Sequence, residues 1–316
     1  MRAWLALAGI IGPAGLQPAH ADTATRDTLA HVRAEGVLQC GSTVRPGLAF
    51  PDAHGVWHGL NVDLCRAVAT AVLGPHARIG FHPYLLPASY GPVRHGTDEL
   101  FFLTTSEMIA NDLAGAVQPG PAVFYETDAV LVPKAATARH VADLAGTTLC
   151  AEPGTGAERS IAPWFAARHL DARYFPFQES DEELDAFYAQ RCGAMVNEVT
   201  SLAALRLQTQ RDGHDSRILP DALASYPILA ATPLADGRWS ALVTWTIQSV
   251  MRPQAGDAAG VALGLKAGWA DEMHKAVGPY DAIFARNLGE GSVLDLPAGL
   301  NTIWTSGGVF SPAYAE

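Results

Sequence analysis

Only a few residue patterns in this 316-residue chain can do chemistry. Gly154-Thr155-Gly156 stands where a strand-like run turns into a helix. A helix opening of that kind presents backbone N–H groups and a positive dipole end to an anion. Glu198 follows the apolar run 193–197 and precedes a helical stretch, so it either caps that helix or offers a carboxylate to a cation. Glu107 and Glu198, facing across a cleft, could serve as acid and base, though nothing around them separates catalysis from binding. His54 and His58 are four apart, the spacing of a helical metal pair, but Gly55 and Gly59 argue against a helix there. The chain has no Gly-x-Ser-x-Gly elbow, no Walker phosphate loop and no zinc-protease helix motif. These residues imply no cofactor and no metal, and they do not favour an enzyme.

Four cysteines follow residue 21, namely Cys40, Cys65, Cys150 and Cys192, and they allow three connectivities. No Cys-x-x-Cys is present and the spacings fit no zinc module. Structural disulfides in an oxidising compartment are therefore the leading reading, with four buried free thiols as the alternative. Pairing Cys40 with Cys65 and Cys150 with Cys192 keeps each bridge within one half of the chain. Each would contribute on the order of 3 kcal/mol in the chain-entropy account.

The first 21 residues, MRAWLALAGIIGPAGLQPAHA, join one basic residue, an apolar stretch and the small-residue pattern Ala19-His20-Ala21. That is the pattern of a secretory signal cleaved before Asp22. Gly12, Pro13 and Gly15 interrupt the apolar run, which is too short for a transmembrane anchor. No cysteine follows the cleavage point to carry a lipid. The formal charge is −11, and removal of Arg2 with the signal takes it to −12. So acidic a balance argues against nucleic acid or an anionic membrane as partner.

Elements must position these residues, and their order is that of an α/β protein long enough for two domains. Residues 28–33 read as a short helix broken by Gly36, and 37–40 as a strand. Helix 62–73 puts Val62, Cys65, Val68, Ala69 and Val72 on one face before Gly74-Pro75 stops it. Strands follow at 79–84 and 100–104. The same grammar recurs with strands at 128–132 and 147–151, a helix from about Ala157, a helix at 181–190, a strand at 193–197 and a helix at 201–208. A strand at 228–232 returns, and the text from Trp239 onward is helical. Such alternation predicts mostly parallel sheets covered by helices. A chain that leaves one α/β lobe, builds a second and comes back makes two crossovers, and the cleft between the lobes is the natural ligand site.

The run CGSTVRPGLAFPDAHGVWHGLNVDLCRAVATAVL (40–73), the pair CAEPGTG (150–156) and RCGAMVNEVTSL (191–202), and the tail segments GPYDAIFARNLGEGS and GLNTIWTSGGVF together resemble a known family. It is the amino-acid type (family 3) of periplasmic solute-binding protein, in particular its general L-amino-acid branch. The resemblance covers nearly all of the chain after the signal. It implies a two-lobed periplasmic-binding-protein fold of type II, each lobe a mostly parallel sheet flanked by helices, with two crossover strands. The implied organisation is a signal at 1–21, one lobe from 22–129 plus 230–316, and a second from 130–229. It also implies a periplasmic monomer that closes on a small polar solute and passes it to the membrane permease of an ABC transporter, with no nucleic acid involved.

In that family hydroxyls at a strand end, an arginine soon after and a threonine at a helix start hold the ligand carboxylate, while an acidic residue takes its amino group. By resemblance the hydroxyl segment here is Thr104-Thr105-Ser106, the helix-start threonine is Thr155 and the acid is Glu198, one methylene longer than the usual aspartate. The arginine position falls on Asn111, followed by Asp112. A second arginine of the close branch falls on Leu103, and a tryptophan on Glu107. Phe50, beyond the loop after the first strand, is the aromatic candidate to line the cleft; Trp57, Phe101 and Phe102 read as core.

Asn111 donates hydrogen bonds without carrying charge. Losing a buried cation opposite a carboxylate costs about 2–5 kcal/mol of binding, and Glu107 adds negative charge nearby. The expectation is a cleft for an amine or a polar neutral molecule. An anion held at Gly154-Thr155-Gly156, or Arg45 reaching in from the loop after the first strand, would instead restore a carboxylate site. Two other classes remain open on the same fold: a periplasmic accessory protein that no longer delivers solute, and a dehydratase-like enzyme.

Overall fold

Helix α1 (Thr28–Glu35) stops at Gly36, whose left-handed backbone (φ 63°) lets its N–H close on Val32 O and turns the chain into strand β1 (Val37–Thr43). The computed structural model describes residues 27–85, 90–177, 180–252 and 257–303. The predicted signal at 1–21 and the end of the tail motif beyond 303 lie outside the described residues. After β1 a short hairpin, β2 (Phe50–Pro51) and β3 (Trp57–His58), leads to α2 (Leu60–Leu73). Gly59 enters that helix at φ 125°, and a Cβ there would meet Leu48 O at 2.2 Å, so only glycine fits.

The first half continues with β4 (Arg78–Tyr84), α3 (Gly91–His95), β5 (Leu100–Thr104), α4 (Thr105–Ala110) and β6 (Val117–Gln118). Strand β7 (Ala122–Pro133) carries the chain out of this unit. Beyond it come β8 (Thr148–Ala151), α5 (Gly156–Ala166), β9 (Arg173–Pro176), α6 (Ser180–Tyr188), β10 (Ala194–Glu198), α7 (Val199–Arg211) and β11 (Ser216–Ile218). Strand β12 (Ala224–Pro233) returns, and α8 (Gly237–Met251), α9 (Ala258–Ala262), α10 (Trp269–Val277) and α11 (Tyr280–Asn287) complete the first unit.

The strands run in the order β4-β1-β5-β12-β7-β10-β8-β9, with β6 on β12 and β11 on β7. β4, β1 and β5 are mutually parallel, as are β10, β8 and β9, and the antiparallel strands β12 and β7 join the two sets. This is the two-lobed α/β architecture, one mostly parallel sheet per lobe and two crossover strands. The crossovers are longer than the sequence predicts. The segments expected at 128–132 and 228–232 are the ends of strands of 12 and 10 residues. Glu126, Thr127 and Pro227 lie outside the expected strands, yet the β7–β12 ladder runs through them, Pro227 opposite Tyr125.

Each lobe has its own core. In the first, α2 packs on β1 and β4, α8 on β12 and α10 on α2, and Trp239, fully buried, donates its indole N–H to Glu99 O at 2.7 Å. In the second, α5 packs Ile161, Trp164 and Phe165 on Val130, Leu149 and Val196. The disulfides follow the pairing that keeps each bridge in one half: Cys40–Cys65 ties β1 to α2 and Cys150–Cys192 ties β8 to the turn before β10. Among the described residues, no helix is long and apolar enough to cross a membrane.

Candidate ligand-binding site

A cleft of about 600 Å³ lies between the loop that follows β1 and the second lobe. Thr43, Val44, Arg45 and Pro46 form one wall; Glu152, Thr155, Glu183, Asn197, Glu198 and residues of α7 form the other. Its size falls within the range of roughly 300–1,000 Å³ usual for small-molecule sites.

Arg45 is presented by a tight turn in which its N–H and C=O exchange hydrogen bonds with Ala49, both at 3.0 Å. Its guanidinium grips Glu198 with two donors, Nε to Oε2 at 2.9 Å and Nη2 to Oε1 at 3.2 Å. Nη1 and Nη2 also reach Glu107 Oε1, each at 3.3 Å. One cation thus joins a carboxylate from each lobe. Burial opposes the charge on Arg45, but Glu198 and Glu107 outweigh it and hold the guanidinium well above its ordinary range. Burial likewise disfavours the charge on Glu198, and Arg45 beside it overcomes that and holds the carboxyl below the usual carboxylate value.

Glu107 is fixed from several sides. As the third residue of α4 it accepts the Thr104 N–H at 2.7 Å while its own N–H donates to Thr104 Oγ1 at 3.1 Å, a reciprocal cap. Thr43 Oγ1 donates to its other oxygen at 2.6 Å. Glu198 stands at the N-cap position of α7, but its side chain makes no cap bond; Tyr226 donates to its Oε1 at 2.8 Å.

Three further carboxyls crowd this region, and none was among the predicted site residues. Glu126 and Asp128 on β7 are fully buried and two apart, which puts them on one face of the strand. Thr200 Oγ1 donates to Glu126 Oε2 at 2.7 Å. Burial, then the charge of Glu198, pushes Glu126 up to about 7 and Asp128 up to about 6. Glu183 on α6 is pushed up to about 7 by burial and then by Glu152. The available sequence signal for the first pair was two acids at strand spacing inside the apolar run 122–133.

Of the predicted ligand residues, Arg45, Thr155 and Glu198 line the cleft, whereas Phe50, Thr104, Ser106 and Asn111 are not in its walls. Phe50 sits in the small hairpin near the His58 ring, 6.2 Å between centroids. Thr104 caps α4, and Ser106 is exposed on its first turn. Asn111 is the C-cap of α4, and its amide Nδ2 donates to Glu107 O at 2.9 Å. The position that resemblance assigns to an arginine is therefore engaged with its own helix, and the cation that pairs with Glu198 in the cleft is Arg45. The anion-binding alternative at Gly154-Thr155-Gly156 meets an occupant from the same chain: Glu158 Oε2 accepts the Gly154 N–H at 3.1 Å. The Thr155 hydroxyl is also committed, donating to Glu152 O at 2.7 Å and accepting the Glu158 N–H at 3.1 Å. The candidate acid–base pair, Glu107 and Glu198, shares one guanidinium.

Two α/β lobes joined by paired crossover strands, with a polar cleft between them, define the periplasmic-binding-protein class. No family model matches the chain. It is 30% identical, over 317 aligned positions, to the general L-amino acid-binding periplasmic protein AapJ of Rhizobium johnstonii, covering 92% of this chain and 93% of that one. It is 26% identical to the glutamate/glutamine/aspartate/asparagine-binding protein BztA of Rhodobacter capsulatus, covering 96% and 98%. A Brucella ovis ABC transporter periplasmic binding protein, solved with glutathione bound, superposes with a TM-score of 0.75 at 28% identity, covering 90% of this chain and 98% of that one. The chain belongs to the amino-acid-type (family 3) periplasmic solute-binding proteins.

Proposed function

We propose that this protein is the exported, periplasmic solute-binding component of an amino-acid ABC transporter. It takes a small polar solute, an amino acid or an amine, into the cleft between a lobe of residues 22–129 plus 230–316 and a lobe of residues 130–229. Closure of the lobes around the solute is the working motion, and the membrane permease is the recipient. The observation that carries this reading is the 600 Å³ cleft in which Arg45 of one wall meets Glu198 of the other, with Thr155 also lining that second wall. Relatives named as amino-acid binding proteins, matched over almost their whole length, support transport over catalysis.

The grip on the solute differs from the usual one. A bidentate guanidinium suits a carboxylate, but Arg45 already spends its donors on Glu198 and Glu107, and those three groups sum to a charge of −1. To be gripped by two donors, an incoming α-carboxylate would have to displace one of the two glutamates. An incoming ammonium would add the charge that the trio lacks. The grip therefore favours a cationic or neutral polar group at this point over a free anion.

A thermal-shift and calorimetric screen tests the reading. The panel holds the common L-amino acids, putrescine and spermidine, and glutathione, the last because a relative was solved with it. At a hundredfold excess over Kd a specific solute adds about 2.7 kcal/mol of stability. At least one solute is expected to raise the melting temperature and to bind with one-to-one stoichiometry. A flat response across the panel overturns solute transport and leaves the accessory-protein reading.

A further inference from the structure

The second-lobe wall of the cleft contains a carboxyl that the site described so far does not use. Glu183 lies on the inward face of α6, with Ala186 and Phe187 three and four residues on, and α6 packs on β8 and β10 beside the Cys150–Cys192 bridge. The residue is only 2% exposed, yet it lines the cleft, and among the described residues its Oε1 has no hydrogen-bond partner. A buried polar atom left unpaired is costly, and native structures rarely keep one without a use. Glu152, half-buried directly after β8, also lines the cleft.

We propose that Glu183 and Glu152 form a cation subsite in the second-lobe wall, and that it takes the ammonium or guanidinium group at the far end of a basic amino acid or a diamine. The inference rests on the solute-binding reading above and specifies its ligand class. Two cations share the lining. Arg45 is held by Glu107 and Glu198, and Arg211 is exposed on the last turn of α7 with its Nε on Leu207 O. Among the described residues neither arginine is hydrogen-bonded to Glu183 or Glu152, so neither cation of the lining is paired with them. With Glu198, the walls carry three carboxylates against two arginines, and one arginine is already consumed by a pair. Burial, then Glu152, raises the proton affinity of Glu183, and an approaching cation would favour its ionised form.

The test is isothermal titration of the purified protein, wild type and the near-isosteric variants Glu183→Gln and Glu152→Gln, with L-arginine, putrescine, L-glutamine, L-glutamate and glutathione as probes. Circular dichroism and melting temperature confirm that each variant is folded. L-Arginine or putrescine is expected to bind wild type most tightly, and each variant to weaken that binding at least tenfold. Binding of L-glutamine, where measurable, is expected to change less than threefold. Tightest binding by L-glutamate or glutathione overturns the cation subsite and leaves solute binding standing. So does binding of basic solutes that both variants leave unchanged. Silence from every probe removes the solute-binding reading itself, and this inference with it.

Discussion

Arg45 Nε lies 2.9 Å from Glu198 Oε2, an ion pair that spans 153 residues of sequence and joins the loop after β1 to the end of β10. With the two side chains only 11% and 22% exposed, it is a largely desolvated link between lobes. Removing one partner leaves the other buried and unpaired, which costs about 3–5 kcal/mol in such settings. Arg45→Met is therefore expected to lower the urea midpoint strongly, because Glu198 and Glu107 would both face the gap uncompensated. The double variant Arg45→Met, Glu198→Gln should recover more than half of that loss. Equilibrium unfolding of the two variants checks both statements.

Acid pH should stabilise the protein. Glu126, Asp128 and Glu183 have folded values pushed up by burial to about 7, 6 and 7, so the native state takes up protons before the unfolded chain does. Stability from these groups is complete below the ordinary carboxylate range and is lost as pH rises through about 4.5 to 7, by up to about 1.4 kcal/mol per pH unit for each titrating group. Glu198, held low by Arg45, acts in the opposite sense and only in stronger acid. The melting temperature is expected to be higher at pH 5.5 than at pH 8. Glu126→Gln should flatten that slope and raise the melting temperature at pH 8.

Reduction should destabilise both lobes. The bridges close segments of 25 and 42 residues, which the chain-entropy account values at about 3.5 and about 4 kcal/mol. Replacing Cys150 and Cys192 by alanine is expected to lower the midpoint of the second lobe first and to expose a two-step unfolding curve. Mass spectrometry after alkylation, with and without reductant, checks that all four thiols are paired in the native protein.

Thr155 should matter to stability before any solute is present. Its hydroxyl caps α5 and ties back to Glu152 O, so Thr155→Ala is expected to cost about 1 kcal/mol, while Thr155→Ser keeps both bonds. A larger loss in solute affinity than in stability would mark the hydroxyl as a direct contact as well.

Much of the fold was legible in order and spacing. The strand expected at 100–104 is β5 residue for residue, and helix 62–73 differs from α2 only by its first two residues. Glycines and prolines punctuate those elements clearly, and their buried faces repeat at the right period. The crossover strands were only half legible, because Glu126 and Pro227 look like loop residues until a partner strand is laid beside them. The site was less legible still. Thr104 and Asn111 were named from position in a motif, but in the fold they satisfy the two ends of a six-residue helix, and that local demand takes their hydrogen bonds.

The sequence by itself determined the α/β order, the two-lobe plan and the family, and it made a disulfide pairing within each half the leading expectation. These follow from local periodicity, turn chemistry and short-range motifs, which each stretch of chain carries on its own. Only the tertiary structure decided which charge occupies the cleft. Arg45, Glu107 and Glu198 come from three separate stretches, and Glu183 is buried by a helix packed elsewhere. Electrostatic balance in a cleft depends on distances between residues far apart in the chain, and folding alone sets those distances.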